Sequence, residues 1–262
     1  MKKFERGEYD KSVSHYIRHT AIKHLGTLGG GNHFIELGFQ KNDLWLIIHS
    51  GSRGVGHKIA EIYMKKAAGK DRLFEQTYPL EVESKYGKEY LNVLDFCLEF
   101  ALLNRMEMAH HVILSIGRVL RKKISWKLWA NKNHNHAILE KTGQGELYIH
   151  RKGATPAKKG ERGIIPANMR DGSYLVLGLG NAHFLFSSSH GAGRVMSRTK
   201  ARETFKMQEF IDSMKGIRGT IEPAILDEAP MAYKNIADVM DAQKESVKVL
   251  KHIKPVINWK GK

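Results

Sequence analysis

Several ordinary features are scarce or missing in this sequence. It has a single cysteine, Cys97, so no internal disulfide can form and no C-x-x-C metal pair exists. That usage fits a reducing compartment, and a cytoplasmic location is expected. No apolar run approaches the roughly 18 residues of a membrane span, so no membrane association is expected. The opening MKKFERGEYDKS has no apolar stretch of the kind a secretory signal needs. Neither a Walker A loop nor a G-x-G-x-x-G fingerprint is present, which removes the two commonest nucleotide signatures. The H-x-x-x-H pair His15 and His19 lacks the glutamate of a metalloprotease helix and reads as a solvated helix face. Internal repeats and low-complexity tracts are absent.

Negative charge is also in short supply. Against 43 lysines and arginines stand 27 acids, a formal net charge of +16. A field of that size attracts polyanions such as RNA, DNA or an anionic surface. A merely soluble basic protein is the plainer alternative. The 262 residues, 42% of them hydrophobic, suffice for one large domain or two small ones with a substantial core.

Apolar spacing gives a coarse map. Residues 1–23 are polar and partly helical in pattern. DLWLIIHS, residues 43–50, reads as a buried strand between turn signals. A helix follows with Ile59, Ile62, Tyr63 and Lys66 on one face. Leu91, Leu94, Leu98, Ala101 and Leu102 predict a long helix over residues 88–121, with Cys97 inside it as a small core side chain. Residues 145–153 alternate as a strand with Leu147 and Ile149 on one side, and 174–180 form an apolar strand. Ile236, Val239, Met240, Val247 and Leu250 predict an amphipathic helix near the end. Strands and helices mix without a βαβ rhythm, which favours an α+β fold.

The 14 histidines are numerous, and neutral imidazole serves both as metal ligand and as nucleophile. Four sit in Gly- or Asn-rich settings: His33 in GGGNHF, His49 in IIHSGSRG, His134 in NHNHA and His190 in SSSHGAGR. Taken singly each suits a structural role; together they point to a metal or phosphate site. GTLGGGNH and HGAGR can bring bare backbone N–H groups close to phosphate oxygens, or can be ordinary turns. Arg53 and Arg194 lie in such turns, where a guanidinium can hold a phosphate of RNA or nucleotide or form a surface ion pair.

HLGTLGGGNHFIEL, LIIHSGSRGVGH, NHNHAILE, HRKGATPAKKGERGIIPANM, SSSHGAGRVMSRTKA and DEAPMAYKNI follow one another in order across residues 24–236. Together they closely resemble the RtcB family of RNA ligases. The resemblance implies a single RtcB-like domain over 1–262, with mixed sheets surrounded by helices. It implies joining of RNA 3′-phosphate or 2′,3′-cyclic phosphate ends to 5′-hydroxyl ends, in tRNA splicing or RNA repair, with GTP and two Mn²⁺ ions. By matching motifs, His33, His49 and His134 are the implied metal ligands. His190 is the implied nucleophile, forming a histidine–GMP intermediate. Implied guanylate contacts are Asn32, His33, Phe34, Ile35, Glu36, His134, Asn135, Pro166, Ala167, Asn168, Met169, Ser173, His190, Gly191, Ala192, Gly193 and Lys260. The family's Pro-Gly-Ser-Met is Pro166-Ala167-Asn168-Met169 here, and His136 beside Asn135 reads as a bystander.

Family members also carry an N-terminal Asp-x-x-Cys-Gly type motif that ligates manganese, and this sequence begins after that point. Asp95 and Cys97 belong to the long helix and do not replace it. The resemblance therefore implies a domain incomplete at its N-terminus, with the missing ligands supplied by a separate segment, or a catalytically impaired RNA- or GTP-binding remnant. The Gly-Ala-Gly-Arg sequence around His190 argues against a metal-dependent phosphohydrolase. Archease, an activator of family members, is a further partner the resemblance raises.

Overall fold

The computed structural model describes residues 11–69 and 78–261. They fall into two compact units, one of residues up to 27 with 50–116, the other of residues 28–49 with 117–262. Residues 1–10, part of the polar N-terminal segment, lie outside the described residues.

The first unit is helical. Helix α1 (Lys11–Tyr16) runs through a π turn (Ile17–Ala21) into the short α2 (Ile22–His24). Helices α3 (Val55–Ala68) and α4 (Lys85–Leu120) follow, close to their expected positions. Val13, Ile17, Val55, Ile59, Tyr63, Val93, Cys97 and Phe100 share one core. Burial pushes the Cys97 thiol up to about 12, so it sits there as an inert apolar side chain. His15 and His19 are exposed on the helix surface, as their spacing suggested. Asn104, fully buried, closes the unit. Its amide accepts from Gly26 and Thr27 N–H and donates to the carbonyls of Thr27 and Gly51. A buried amide so completely satisfied fixes the chain around it.

The second unit is built on an antiparallel sheet. Strands β1 (Phe34–Gln40), β2 (Asp43–His49), β6 (Arg162–Pro166), β7 (Ser173–Gly178) and β10 (Val247–Lys260) lie in the order β2-β1-β10-β7-β6. The short β9 (Arg218–Gly219) pairs with β10 in parallel. Two small ribbons flank it, β3 (Asn135–Thr142) with β4 (Gly145–Lys152), and β5 (Ala154–Pro156) with β8 (Ser187–Ser189). Helices α5 (Arg198–Thr204), α6 (Met207–Ser213) and α7 (Ile236–Ala242) complete it. The mixture is α+β, as expected.

Strand β10 organises the unit. Its first half pairs with β7 and its second half with β1. A register shift opposite Leu37/Gly38 accommodates Pro255, which has no N–H to give a ladder. Gly38 is needed there, since a Cβ would stand 2.5 Å from the Lys254 carbonyl oxygen. Three expectations change. The helix expected through Val247 and Leu250 stops at Ala242, and those two residues begin β10. Local 3.6-residue spacing was real only for α7; the Val- and Ile-rich remainder gains more by pairing. Strand β2 is an edge rather than a buried strand, with Ile47 its one fully buried residue. In β4 the residues buried with Ile149 include Arg151, while Leu147 faces solvent. Arg151 is tolerated because its guanidinium meets Glu140, Ser187 Oγ and the Leu185 carbonyl.

Candidate functional site

Register brings the first site residues together. Phe34 opens β1 opposite His49, the last residue of β2, and opposite Lys260, the last of β10. Three distant stretches thus share one rung at one end of the sheet. The Gly-rich turn before β1 fits against the end of β10. A Cβ on Gly261 would fall 2.0 Å from the Gly29 carbonyl oxygen, so backbone meets backbone where only glycine fits. Lys260 Nζ then reaches the Asn32 carbonyl at 3.4 Å and lies over the Phe34 ring.

Onto this rung the four singled-out histidines converge. Ring centroids are 5.9 Å apart for His33 and His49, 5.1 Å for His49 and His134, 4.5 Å for His134 and His190, and 6.4 Å for His49 and His190. Phe34 stacks on His49 at 5.5 Å. His134 enters from the residue before β3. His190 follows β8, held by its N–H donating to the Gly153 carbonyl at 3.3 Å. Burial holds the His49 imidazole well below its usual range, and His134, His33 and His190 around it push the same way. It is therefore neutral near pH 7, with a ring lone pair to offer. Nδ1 of His190 is buried with no hydrogen-bond partner among the described residues. Such an atom is costly unless something is meant to meet it.

The turn after His190 is tied to the β6–β7 connection. Ala192 N–H donates to the Pro166 carbonyl, and a Cβ on Gly191 would stand 3.1 Å from that same oxygen. Asn168 shapes the connection by accepting from the N–H groups of Arg170 and Asp171. Met169 is buried beneath it. Ser173, the first residue of β7, donates from Oγ to Glu36 at 3.0 Å, and Asn258 Nδ2 donates to the other Glu36 oxygen at 2.9 Å. Burial raises the Glu36 carboxyl to about 7 despite those bonds.

Not every expected residue joins this group. Ile35 alternates to the opposite sheet face from Phe34 and Glu36. Asn135 is exposed at the start of β3. Arg53 belongs to the first unit, where Nε donates to Thr27 Oγ1. Arg194 is occupied internally, with Glu228, the Asp227 carbonyl and the Met196 carbonyl all accepting from it.

Sequence reading passed over the acids that hold this corner. Asp227 and Glu228 are each 1% exposed. Glu228 accepts from Lys260 at 2.7 Å, Tyr233 OH at 2.5 Å and Arg198 at 2.6 Å. Asp227 takes Arg198 and Arg202. Burial alone would raise the Glu228 carboxyl; Lys260 beside it and the other donors bring it below its ordinary value. The signal was an acidic pair followed by the apolar PMAY in an otherwise basic chain. Asn258 gave no comparable sign.

Residues 3–261 match the family model described as tRNA-splicing ligase RtcB. The chain belongs to the RtcB family. The RNA-splicing ligase RtcB1 of Escherichia coli strain ATCC 25922 is 38% identical to this RtcB-family chain, over 94% of it and 63% of the relative. The K12 strain's RNA-splicing ligase RtcB is 37% identical with the same coverage. The tRNA-splicing ligase RtcB of Nanoarchaeum equitans is 32% identical, over 95% of this chain and 62% of its own length. The chain thus spans a little over three fifths of these relatives.

Proposed function

We propose that this chain is the nucleotide- and metal-binding body of a GTP- and Mn²⁺-dependent RNA ligase, joining 3′-phosphate or 2′,3′-cyclic phosphate ends to 5′-hydroxyl ends. The observation that carries the reading is the gathering of His33, His49, His134 and His190 from four separate stretches onto one end of the sheet. His190 is the nucleophile. An imidazole nitrogen attacks the α-phosphorus of GTP, and the P–N bond forms as the P–O bond to pyrophosphate breaks. Guanylate passes from His190 to the RNA 3′-phosphate. Attack by the 5′-hydroxyl then seals the strand and releases GMP. In the turn after His190, the Gly191 and Ala192 N–H groups are held by Ser189 Oγ and the Pro166 carbonyl, and Gly193, with open space where a Cβ would stand, lets a phosphate approach the backbone closely. Glu36, buried with Ser173 and Asn258 on its two oxygens, belongs to the proposed guanylate contacts.

His33, His49 and His134 supply nitrogen donors for manganese. Their chemistry fits in part: His49 is held neutral and can offer a ring nitrogen, while manganese also calls for oxygen donors that these three side chains do not supply. Among the described residues no three His, Cys, Asp or Glu side chains are arranged to hold a metal as they stand. The histidines are thus a partial donor set, and no Asp-x-x-Cys motif occurs in the 262 residues to extend it. When bound, manganese would neutralise triphosphate charge and help align attack with departure.

The test is incubation with α-labelled GTP and Mn²⁺. Wild-type protein should acquire acid-labile label, and His190→Ala none. Unlabelled wild-type protein that still binds RNA would replace this reading with a binding remnant. Phosphate release without protein-bound GMP would replace it with a hydrolase.

A further inference from the structure

The residues that close α4 and lead to His134 form a second surface that the chemistry above does not use. Between Glu107 and Glu140 the chain holds six lysines and arginines and no carboxylate. Arg118, Arg121, Lys122, Lys123 and Lys127 are exposed or partly so, as is Trp126 at 44%. None of these five cations is in a salt bridge among the described residues, whereas Lys132 beyond them pairs with Glu161. A helix C-terminus attracts a cation or two through its dipole. Five cations without an acid exceed what that effect explains.

The segment is also ordered. Arg121 takes a left-handed conformation, φ 52°, in the position where helix ends favour glycine. Its N–H donates to the Arg118 carbonyl and the Lys122 N–H to the Gly117 carbonyl, the paired bonds that lock a helix end. The following chain folds back closely enough that a Cβ on Gly117 would meet the Lys122 carbonyl oxygen at 3.0 Å. Further on, Trp129 is anchored, its ring edge-on to Trp45 at 5.9 Å and under the Arg162 guanidinium at 4.3 Å. Cations and one free indole are thus presented between two fixed points, all within the second unit. From Lys127 to His134 is seven residues, at most about 25 Å of extended chain.

We infer that residues 118–127 bind the single-stranded RNA flanking the ends to be joined, the cations along its phosphates and Trp126 stacked on one base. Backbone-tracking charge beside an aromatic platform is how proteins hold single strands without reading sequence. The inference rests on the ligase reading, because it takes RNA as the polyanion. An indole also serves protein interfaces, but five cations within residues 118–127 and no acid among them favour a phosphate backbone.

The test uses the full chain and a fluorescent single-stranded oligoribonucleotide ending in a 3′-phosphate, followed by anisotropy across a salt series. One variant combines Arg118→Gln, Arg121→Asn, Lys122→Gln, Lys123→Gln and Lys127→Gln, with Asn chosen to suit the left-handed backbone. The other is Trp126→Ala. The five-site variant should flatten the slope of log affinity against log salt by up to about 3.5, at about 0.7 per lost phosphate contact. Trp126→Ala should weaken binding roughly ten-fold with the slope kept, as for loss of one stacked base. Both should still take label from GTP. Unchanged affinity and slope in proteins that become labelled would overturn the inference and leave the ligase reading standing. Variant-sensitive RNA binding by protein that never takes label would do the reverse. Equal binding of polyglutamate or of anionic phosphatidylserine vesicles, lost in the same variants, would reassign the surface to another polyanion.

Discussion

Glu36 is a carboxyl placed where a charge is expensive, with two donors but little solvent. Its raised pKa has a consequence for stability. The folded protein keeps a proton that the unfolded chain releases above about 4.5. This contribution is therefore complete below that pH and is lost as pH rises through about 7. Glu36→Gln removes it. The replacement fits because Asn258 Oδ1 is buried with no hydrogen-bond partner among the described residues, so a turned-over Asn258 amide can accept from the new Gln while Ser173 keeps its bond. Urea midpoints should show the variant gaining on wild type between pH 5 and pH 8. Depressed histidines such as His49, His136 and His252 act with the opposite sign, losing stability below their usual pKa, but they do so in both proteins. Parallel pH profiles for the two would show that Glu36 ionises normally. At this scale the sequence marked Glu36 only through its motif. Its protonation comes from burial in the folded chain, which outweighs the opposing hydrogen bonds from Ser173 and Asn258, 137 and 222 residues away.

Strand pairing is where local sequence was least informative. The long helix α4 was legible because its apolar repeat persists over many turns. The stretch from Val247 was not, because two helical-looking spacings can arise by chance in a strand paired on both edges. Gly38 tests the pairing. Opposite Pro255, a Cβ there would also lie 2.7 Å from Ile253 Cγ2 and has no flexible neighbour to displace. Gly38→Ala should cost about 2 kcal/mol of stability, as over-packing typically does. Gly143, in the β3–β4 turn, has nothing within 4 Å of an added Cβ. Gly143→Ala should stay within about 0.5 kcal/mol of wild type. Equal effects from the two, measured by denaturant titration, would mean that β1 and β10 are not in the register described.

For the molecule as a whole, net charge and site occupancy are the quantities that matter. A charge of +16 sets a field that attracts polyanions, and if RNA and GTP bind as proposed, salt should weaken both encounters. If GTP with Mn²⁺ binds only the folded state, it must stabilise it. At 100 times its dissociation constant that linkage gives about 2.7 kcal/mol, roughly 5–10 °C in melting temperature. A melting temperature indifferent to GTP over that range would argue that the nucleotide pocket is not formed. ATP is the comparison nucleotide for the same scan.

By itself, the sequence determined kinship: six blocks in order, the four histidines within them, the inert cysteine in its helix and the excess of positive charge. These are properties of residue identity and near-neighbour spacing, which a chain carries unfolded. Only the tertiary structure decided that Phe34, His49 and Lys260 share a rung, that Arg194 is spent on Glu228 and the Asp227 carbonyl, and that five cations at the end of α4 and just beyond it form no salt bridge among the described residues. Each of those facts rests on contacts between residues far apart in the chain. Their energies come from pairing, burial and charge, which exist only once the chain has closed on itself.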